Sequence, residues 1–326
     1  MHRTIIRIIL SVIALGIIGG CKNKLSPSDS EKHLKAFDSE IIMLSKQFSE
    51  TCAFDAFQFL LAQNNVPIPF RYNSNQTADH ALEYNFEQSK GKYEIDLATN
   101  TAFKTGESDS VIILIPRTCK NHEQITLIIC DYAEEYSIWD MMIPTKAYLS
   151  MMAGNTEIMR MELNVEMKYQ VPVLANLHIN SEGIYLKYDM KTRLSKRTTR
   201  SKMNVVAGKN TDEIIVASSN VRMKQEANGS LLFDHVNFKF KAFPVKMQGK
   251  IDYNKIDSNT RFFNSQFNKH SEITIKSFKN KKIGKVLLTD RSDVDRLSFD
   301  IIYNDNSTKN MDELLLTLKT LLNVKI

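Results

Sequence analysis

From Met159 to Ile179 every odd position is apolar or aromatic: Met159, Met161, Leu163, Val165, Met167, Tyr169, Val171, Val173, Ala175, Leu177 and Ile179. The even positions run Arg160, Glu162, Asn164, Glu166, Lys168, Gln170, Pro172, Leu174, Asn176, His178 and Asn180, and only Leu174 spoils the pattern. A period of two sends alternate side chains to opposite faces, so this run demands extended chain with one dry and one wet face. Pro172 falls on the wet parity and, lacking an N–H, is expected at an edge or a bend. A second alternation, Val236, Phe238, Phe240 and Ala242, breaks at Phe243-Pro244 and resumes out of phase at Val245, Met247, Gly249, Ile251 and Tyr253. A slip of one residue predicts a bulge or bend. Asn164–Lys168 and Asn237–Lys241 resemble each other, and each is followed by an apolar-Pro-Val step, which hints at a repeated unit.

Shorter apolar runs predict strands at 184–190, 213–223, 271–278, 283–288 and 296–303. Phe37, Ile41, Leu44, Phe48, Cys52 and Leu60 fall near helical spacing and predict a helical segment over 34–64, stopped by Asn64-Asn65-Val66-Pro67. Asn310 or Asp312 can cap a final helix carrying Leu314, Leu315, Leu316, Leu318, Leu321 and Leu322. The expected class is therefore α+β: mainly antiparallel β-sheet with long curved strands, an N-terminal helical segment and a C-terminal helix. The expected division is a helix plus β-rich region over 34–190 and a β-rich region with the C-terminal helix over 191–326, or one continuous domain over 34–326.

The first 21 residues carry a different message. Arg3 and Arg7 precede an apolar run from Ile8 to Ile18, which ends in Ile18-Gly19-Gly20-Cys21. A basic start, a short apolar stretch and small residues make a secretory signal peptide, and the run is too short to span a bilayer. The last four residues resemble the lipobox of bacterial lipoproteins. That resemblance implies cleavage after residue 20, diacylglycerol on the Cys21 thiol and anchorage in the cell envelope. Lys22 in place of an aspartate then favours the outer membrane. The absence of an early acidic cluster, of the kind that exports some Bacteroidetes lipoproteins to the surface, favours its periplasmic face. Residues 21–33, with Ser26-Pro27-Ser28-Asp29-Ser30, read as a flexible lipidated tether.

The formal charge of +6 becomes about +4 once Arg3 and Arg7 leave with the signal peptide, a balance that does not indicate nucleic acid. Cys52, Cys119 and Cys130 remain in the mature chain. The envelope permits disulfides, but an odd count leaves at least one thiol free in a monomer. The spacing around a hairpin at 111–130 argues against a Cys119–Cys130 bridge, and the plainest expectation makes all three buried small hydrophobes.

Catalytic signatures are missing: no phosphate-binding glycine loop, no Gly-x-Ser-x-Gly elbow and no His-Glu-x-x-His. His33, His80, His122, His178, His235 and His270 are widely separated. Met141-Met142, Met151-Met152, Met159 and Met161 could hold Cu(I), but Met159 and Met161 open the alternating stripe and read as core. Asp290, Asp293 and Asp295 lack the glycine and closing glutamate of a calcium loop. No cofactor or metal is indicated. Lys191, Arg193, Lys196, Arg197, Arg200 and Lys202 form a basic segment without an acid, expected as a mobile loop that could touch an anionic surface. Lys276, Lys279, Lys281, Lys282 and Lys285 make a second basic stretch. The expected role is a non-catalytic, membrane-anchored binding or accessory lipoprotein, with an envelope protein or an apolar ligand as partner. A carrier of a lipid on one sheet face is the alternative and an envelope hydrolase the second. The deciding feature is whether the Met159–Ile179 face is filled by side chains or left open.

Overall fold

A computed structural model describes residues 24–69, 84–118, 123–138, 142–225, 231–256, 263–289 and 298–315. The expected signal segment, Cys21, His80, Cys119, His122, Met141, the Asp290–Asp295 cluster and Leu316 onward lie outside the described residues. The chain divides into two compact units. The central unit is Lys46–Lys191 with Lys209–Thr211, and the terminal unit is Met1–Ser45, Thr192–Gly208 and Asp212–Ile326.

The described chain is α+β, built on a large, mainly antiparallel sheet with an N-terminal and a C-terminal helix. Helices α1 Pro27–Ser49, α2 Cys52–Leu61 and α3 Phe86–Ser89 precede the first strand. Then follow β1 Gly91–Asp96, β2 Thr101–Gly106, β3 Val111–Thr118, β4 Gln124–Tyr136, β5 Met142–Ala153, β6 Thr156–Lys168, β7 Val171–Ser181 and β8 Ile184–Leu194. The chain continues with β9 Thr198–Lys209, β10 Asp212–Gln225, β11 Leu231–Ala242 and β12 Val245–Asp252. It ends with α4 Phe263–His270, β13 Ser271–Ser277, β14 Lys282–Thr289, β15 Ser298–Tyr303, β16 Thr308–Asn310 and α5 Met311–Leu314. Each strand lies beside its successor except at one end, where the order is β4-β3-β1-β2 and β1 pairs with β3 in parallel.

The long alternation is not one strand but a hairpin. Tyr169 and Gln170 turn the chain at φ 51° and 59°, the left-handed pair that a two-residue turn between twisted strands needs. With such a turn alone, odd residues of β6 would face even residues of β7. The register instead shifts: Met167 faces Pro172, but Glu166 faces Leu174. Val173 is the extra residue, and beyond this bulge Val165 faces Ala175, Leu163 faces Leu177 and Met161 faces Ile179. One inserted residue thus keeps odd positions on a common face through a reversal of direction. It also corrects the place of Pro172, which sits before the bulge opposite Met167, on the apolar side. The slip at Phe243-Pro244 is likewise a tight hairpin between β11 and β12, with Ala242 paired to Val245, and not a bulge within one strand.

Two further expectations change. The tether is much shorter than 21–33: Lys24 bridges to Lys282, Leu25 N–H donates to the Lys282 carbonyl at 2.9 Å, and α1 starts at Pro27. The basic segment 191–202 is no loop but the end of β8, a turn at Ser195–Arg197 and the start of β9. The buried Thr192 and Ser201 hydroxyls meet across that hairpin at 3.1 Å.

Each unit has its own core. In the terminal unit Leu34 and Phe37 of α1 pack with Phe238, Phe240, Met247, Ile275, Ile301 and their neighbours, and the Phe37 and Phe240 rings meet edge to face at 5.8 Å. In the central unit Ala53, Ala56 and Leu60 of α2 lie on Val111, Ile113, Ile115, Ile125, Leu127 and Ile129. Alanines at the contact let the helix approach the sheet closely.

Candidate functional site

Beneath α2 the core of the central unit leaves a space. A cavity of about 370 Å³ is bounded by Phe48, Phe54 and Phe57 on the helical side and by Leu127, Leu149, Met151, Met159, Met161 and Ile179 on strands β4 to β7. Gln58 and Ser150 are the only polar residues lining it. The volume is in the range of small-ligand pockets, and the apolar lining is of the usual kind. Three of its walls are methionines, whose unbranched, polarisable side chains adapt to irregular occupants.

The helix over the cavity is held at its N-terminus. Thr51 caps α2, its Oγ1 accepting from Phe54 N–H at 3.2 Å. The Glu182 carboxylate, in the β7–β8 turn, accepts from the Cys52 N–H at 2.7 Å, and Ser181 Oγ lies 3.3 Å from Thr51 Oγ1. A carboxylate at a helix N-terminus satisfies an orphan donor and meets the positive end of the helix dipole. Phe54 also stacks edge to face on Phe48 at 5.4 Å.

Beyond the cavity the same face continues along β5 to β8. Across β5 to β8 the rows are Leu149–Met161–Ile179–Leu186 and Ala147–Leu163–Leu177–Tyr188, with Val165–Ala175–Met190 next. Leu149, Ala147 and Ala175 are buried, whereas Met161, Leu163, Val165, Leu177, Ile179, Leu186, Tyr188 and Met190 are only half-buried. This face is neither filled like a core nor solvated like a surface.

Of the sites expected from sequence, Lys191, Arg193, Lys196, Arg197, Arg200 and Lys202 are all exposed. Lys202 lines a roomier groove of about 700 Å³ in the terminal unit, shared with Asn204, Asn220, Lys239, Gln248 and Lys250. The cysteines depart from the buried, reduced expectation. Cys52 is disulfide-bonded, and Cys130 is free and exposed.

His235 is the one described histidine placed among carboxylates. Its Nδ1 lies 3.1 Å from Asp234 and its Nε2 3.1 Å from Asp252, and Arg222 Nη2 stands 2.9 Å from Nδ1. Both ring nitrogens are taken by charged partners, which leaves neither to activate a nucleophile. Asp234 is the buried centre of this cluster, bonded to Arg222 and 3.3 Å from Lys224 Nζ. Burial works to raise its pKa, but the Arg222 and Lys224 contacts and the neighbouring His235 outweigh it and hold the carboxyl below its ordinary value. Among the described residues no three His, Cys, Asp or Glu side chains form a metal-binding group, and no helix is long and apolar enough to cross a membrane.

No protein-family model matches this chain, and neither a curated protein nor a solved structure does.

The alternation read from the sequence contains Met159, Met161 and Ile179 of the sheet side of the cavity, but not Leu127, Leu149 and Met151. Sequence reasoning missed Phe48, Phe54 and Phe57 as a wall. The signal was present in Cys52–Leu61, where apolar residues surround almost the whole helix; such a helix buries more than one side.

Proposed function

We propose that this chain is a lipid-anchored envelope protein, held through Cys21 in the outer membrane on the periplasmic side, whose central unit binds an acyl chain without catalysing a reaction. The observation that carries this reading is the apolar cavity beneath α2, continuous in its lining residues with the half-buried rows of β6, β7 and β8. An acyl chain suits a space lined by phenylalanine, methionine and leucine. Nothing charged lines it, so the occupant's polar end stays in water.

Two measurements test the reading. Acyl labelling of the precursor should disappear in Cys21→Ser; labelling that persists overturns the anchor. Fluorescent cis-parinaric acid should bind the wild-type protein saturably. Met161→Trp fills the cavity and should abolish that binding while the melting temperature holds or rises, as cavity filling commonly does. No probe binding by the wild type, or equal binding by Met161→Trp, overturns the carrier and leaves a protein-binding accessory role.

A further inference from the structure

One rung of the terminal unit's sheet is made of lysines. Lys241 of β11 lies directly opposite Lys246 of β12, Lys246 opposite Lys276 of β13, and Lys276 opposite Lys282 of β14. Their chain neighbours Phe240, Ala242, Val245, Met247, Ile275 and Ile283 are buried, so the lysines project from the other face. Like charges directly opposite one another destabilise a sheet. Among the described residues none of the four has an acidic partner. The next rung adds Lys239 and Lys285, and the one after it pairs Lys250 with Glu272.

The ends of the same strands carry exposed aromatic rings. Phe243 is 60% exposed and Phe278 39%, their rings edge to face at 5.5 Å. Phe278 N–H donates to the Pro244 carbonyl at 2.9 Å, which joins the two turns. Lys246 Nζ sits 5.2 Å from the centre of the Phe278 ring. Lys24 and Leu25 lie at this edge too: Lys24 bridges to Lys282, and Asn304 Nδ2 donates to the Leu25 carbonyl at 3.3 Å and the Lys282 carbonyl at 2.8 Å. Cys21 is three residues from Lys24, a reach of at most about 11 Å.

We propose that this edge docks on the anionic phospholipid headgroups of the bilayer that holds Cys21. The lysine rung meets the phosphates, and Phe243 and Phe278 enter the interfacial layer. Charge complementarity and the short reach from Cys21 select a membrane surface as the occupant. The lipoprotein reading supplies the membrane, but the contact itself belongs to lysines and phenylalanines, so the test leaves the acyl group out.

The test compares full-length chains that all carry Cys21→Ser and the same N-terminal segment, mixed with vesicles of zwitterionic lipid alone or with about one third anionic phospholipid. Association should need the anionic lipid and fall with salt. A Lys241→Gln, Lys246→Gln, Lys276→Gln variant should bind about 100-fold more weakly, at roughly fivefold per lysine near an anionic surface. Its melting temperature should stay level or rise, because repulsion across the rung is removed. Phe243→Trp should show blue-shifted emission above the Trp139 background, quenched by lipids brominated near the headgroup in anionic vesicles only. Wild-type-like binding by the triple variant overturns the proposal, as does a lowered melting temperature, which makes the lysines structural. Lysine-dependent binding with an unquenched Trp also overturns it, because the aromatic edge then stays outside the interfacial layer and the contact is not the docking proposed. Loss of acyl labelling at Cys21 would bear on the anchor alone.

Discussion

At the scale of single residues, Asp234 shows how much one side chain can organise. It occupies the bulge where β10 and β11 change register between Arg222 and Met223, and its carboxylate is buried among Arg222, Lys224 and His235. Asp234→Asn keeps the shape and removes the charge that these cations share. It should cost about 1.5–3 kcal/mol, the range for hydrogen bonds to charged groups, read by chemical denaturation. The pH dependence follows from the depressed pKa. A carboxyl titrating lower in the folded state stabilises above its unfolded pKa, near 3.9, and loses that contribution as pH falls through the folded value. The acid limb of the wild-type melting profile should therefore be steeper below about pH 4 than that of Asp234→Asn. Nothing in the sequence around Asp234 marks this cluster, because Arg222 and Asp252 reach it across strands. At Cys130 the exposed, free thiol should react with iodoacetamide in the native protein, whereas Cys52 should react only after reduction.

At the scale of elements, the buried parts of the sheet and its half-wet parts should answer truncation differently. Leu127 is 1% exposed, and Leu127→Ala should cost about 2–5 kcal/mol, since a cavity term adds to the lost transfer energy. Leu163 belongs to the same sheet but is only half-buried. Leu163→Ala should cost about 1 kcal/mol, roughly half of a full burial, and should weaken parinaric acid binding if the rows beyond the cavity hold part of the chain. Equal costs at both positions would show that the face is closed. This part of the fold was legible because alternation reports directly which side chains avoid water: strands expected at 184–190, 213–223, 271–278 and 283–288 appear as β8, β10, β13 and β14. The reversals were not legible. Tyr169-Gln170 lacks the asparagine and glycine that usually announce such a turn, and the bulge at Val173 restores the parity whose loss would have revealed it. The helical segment over 34–64 hid a break for a similar reason. Glu50 and Thr51 interrupt it while the apolar spacing runs on from Phe48 to Cys52. The expected cap at Asn310 is present, its side chain accepting from Asp312 N–H at 3.0 Å.

At the scale of the whole molecule, on the lipid-anchored reading, the link between Cys21 and the folded body decides what the anchor can do. A lipidated protein on a long tether explores a wide volume, whereas here Lys24, three residues after Cys21, is already paired with Lys282. Inserting about 15 glycine and serine residues before Lys24 would give a spread of roughly 20 Å. On the lipid-anchored reading, acyl labelling should be unchanged by this insertion, while protection of Phe278 and its neighbours against hydrogen exchange on anionic vesicles should fall. The reason is effective concentration. A second contact made through a short link is intramolecular, and headgroups a few ångströms away act as if present at millimolar levels or more. Even a docking contact too weak to detect between free partners would then be occupied most of the time. Its occupancy would be set by the number of residues between Cys21 and Lys24 as much as by the chemistry of the lysines.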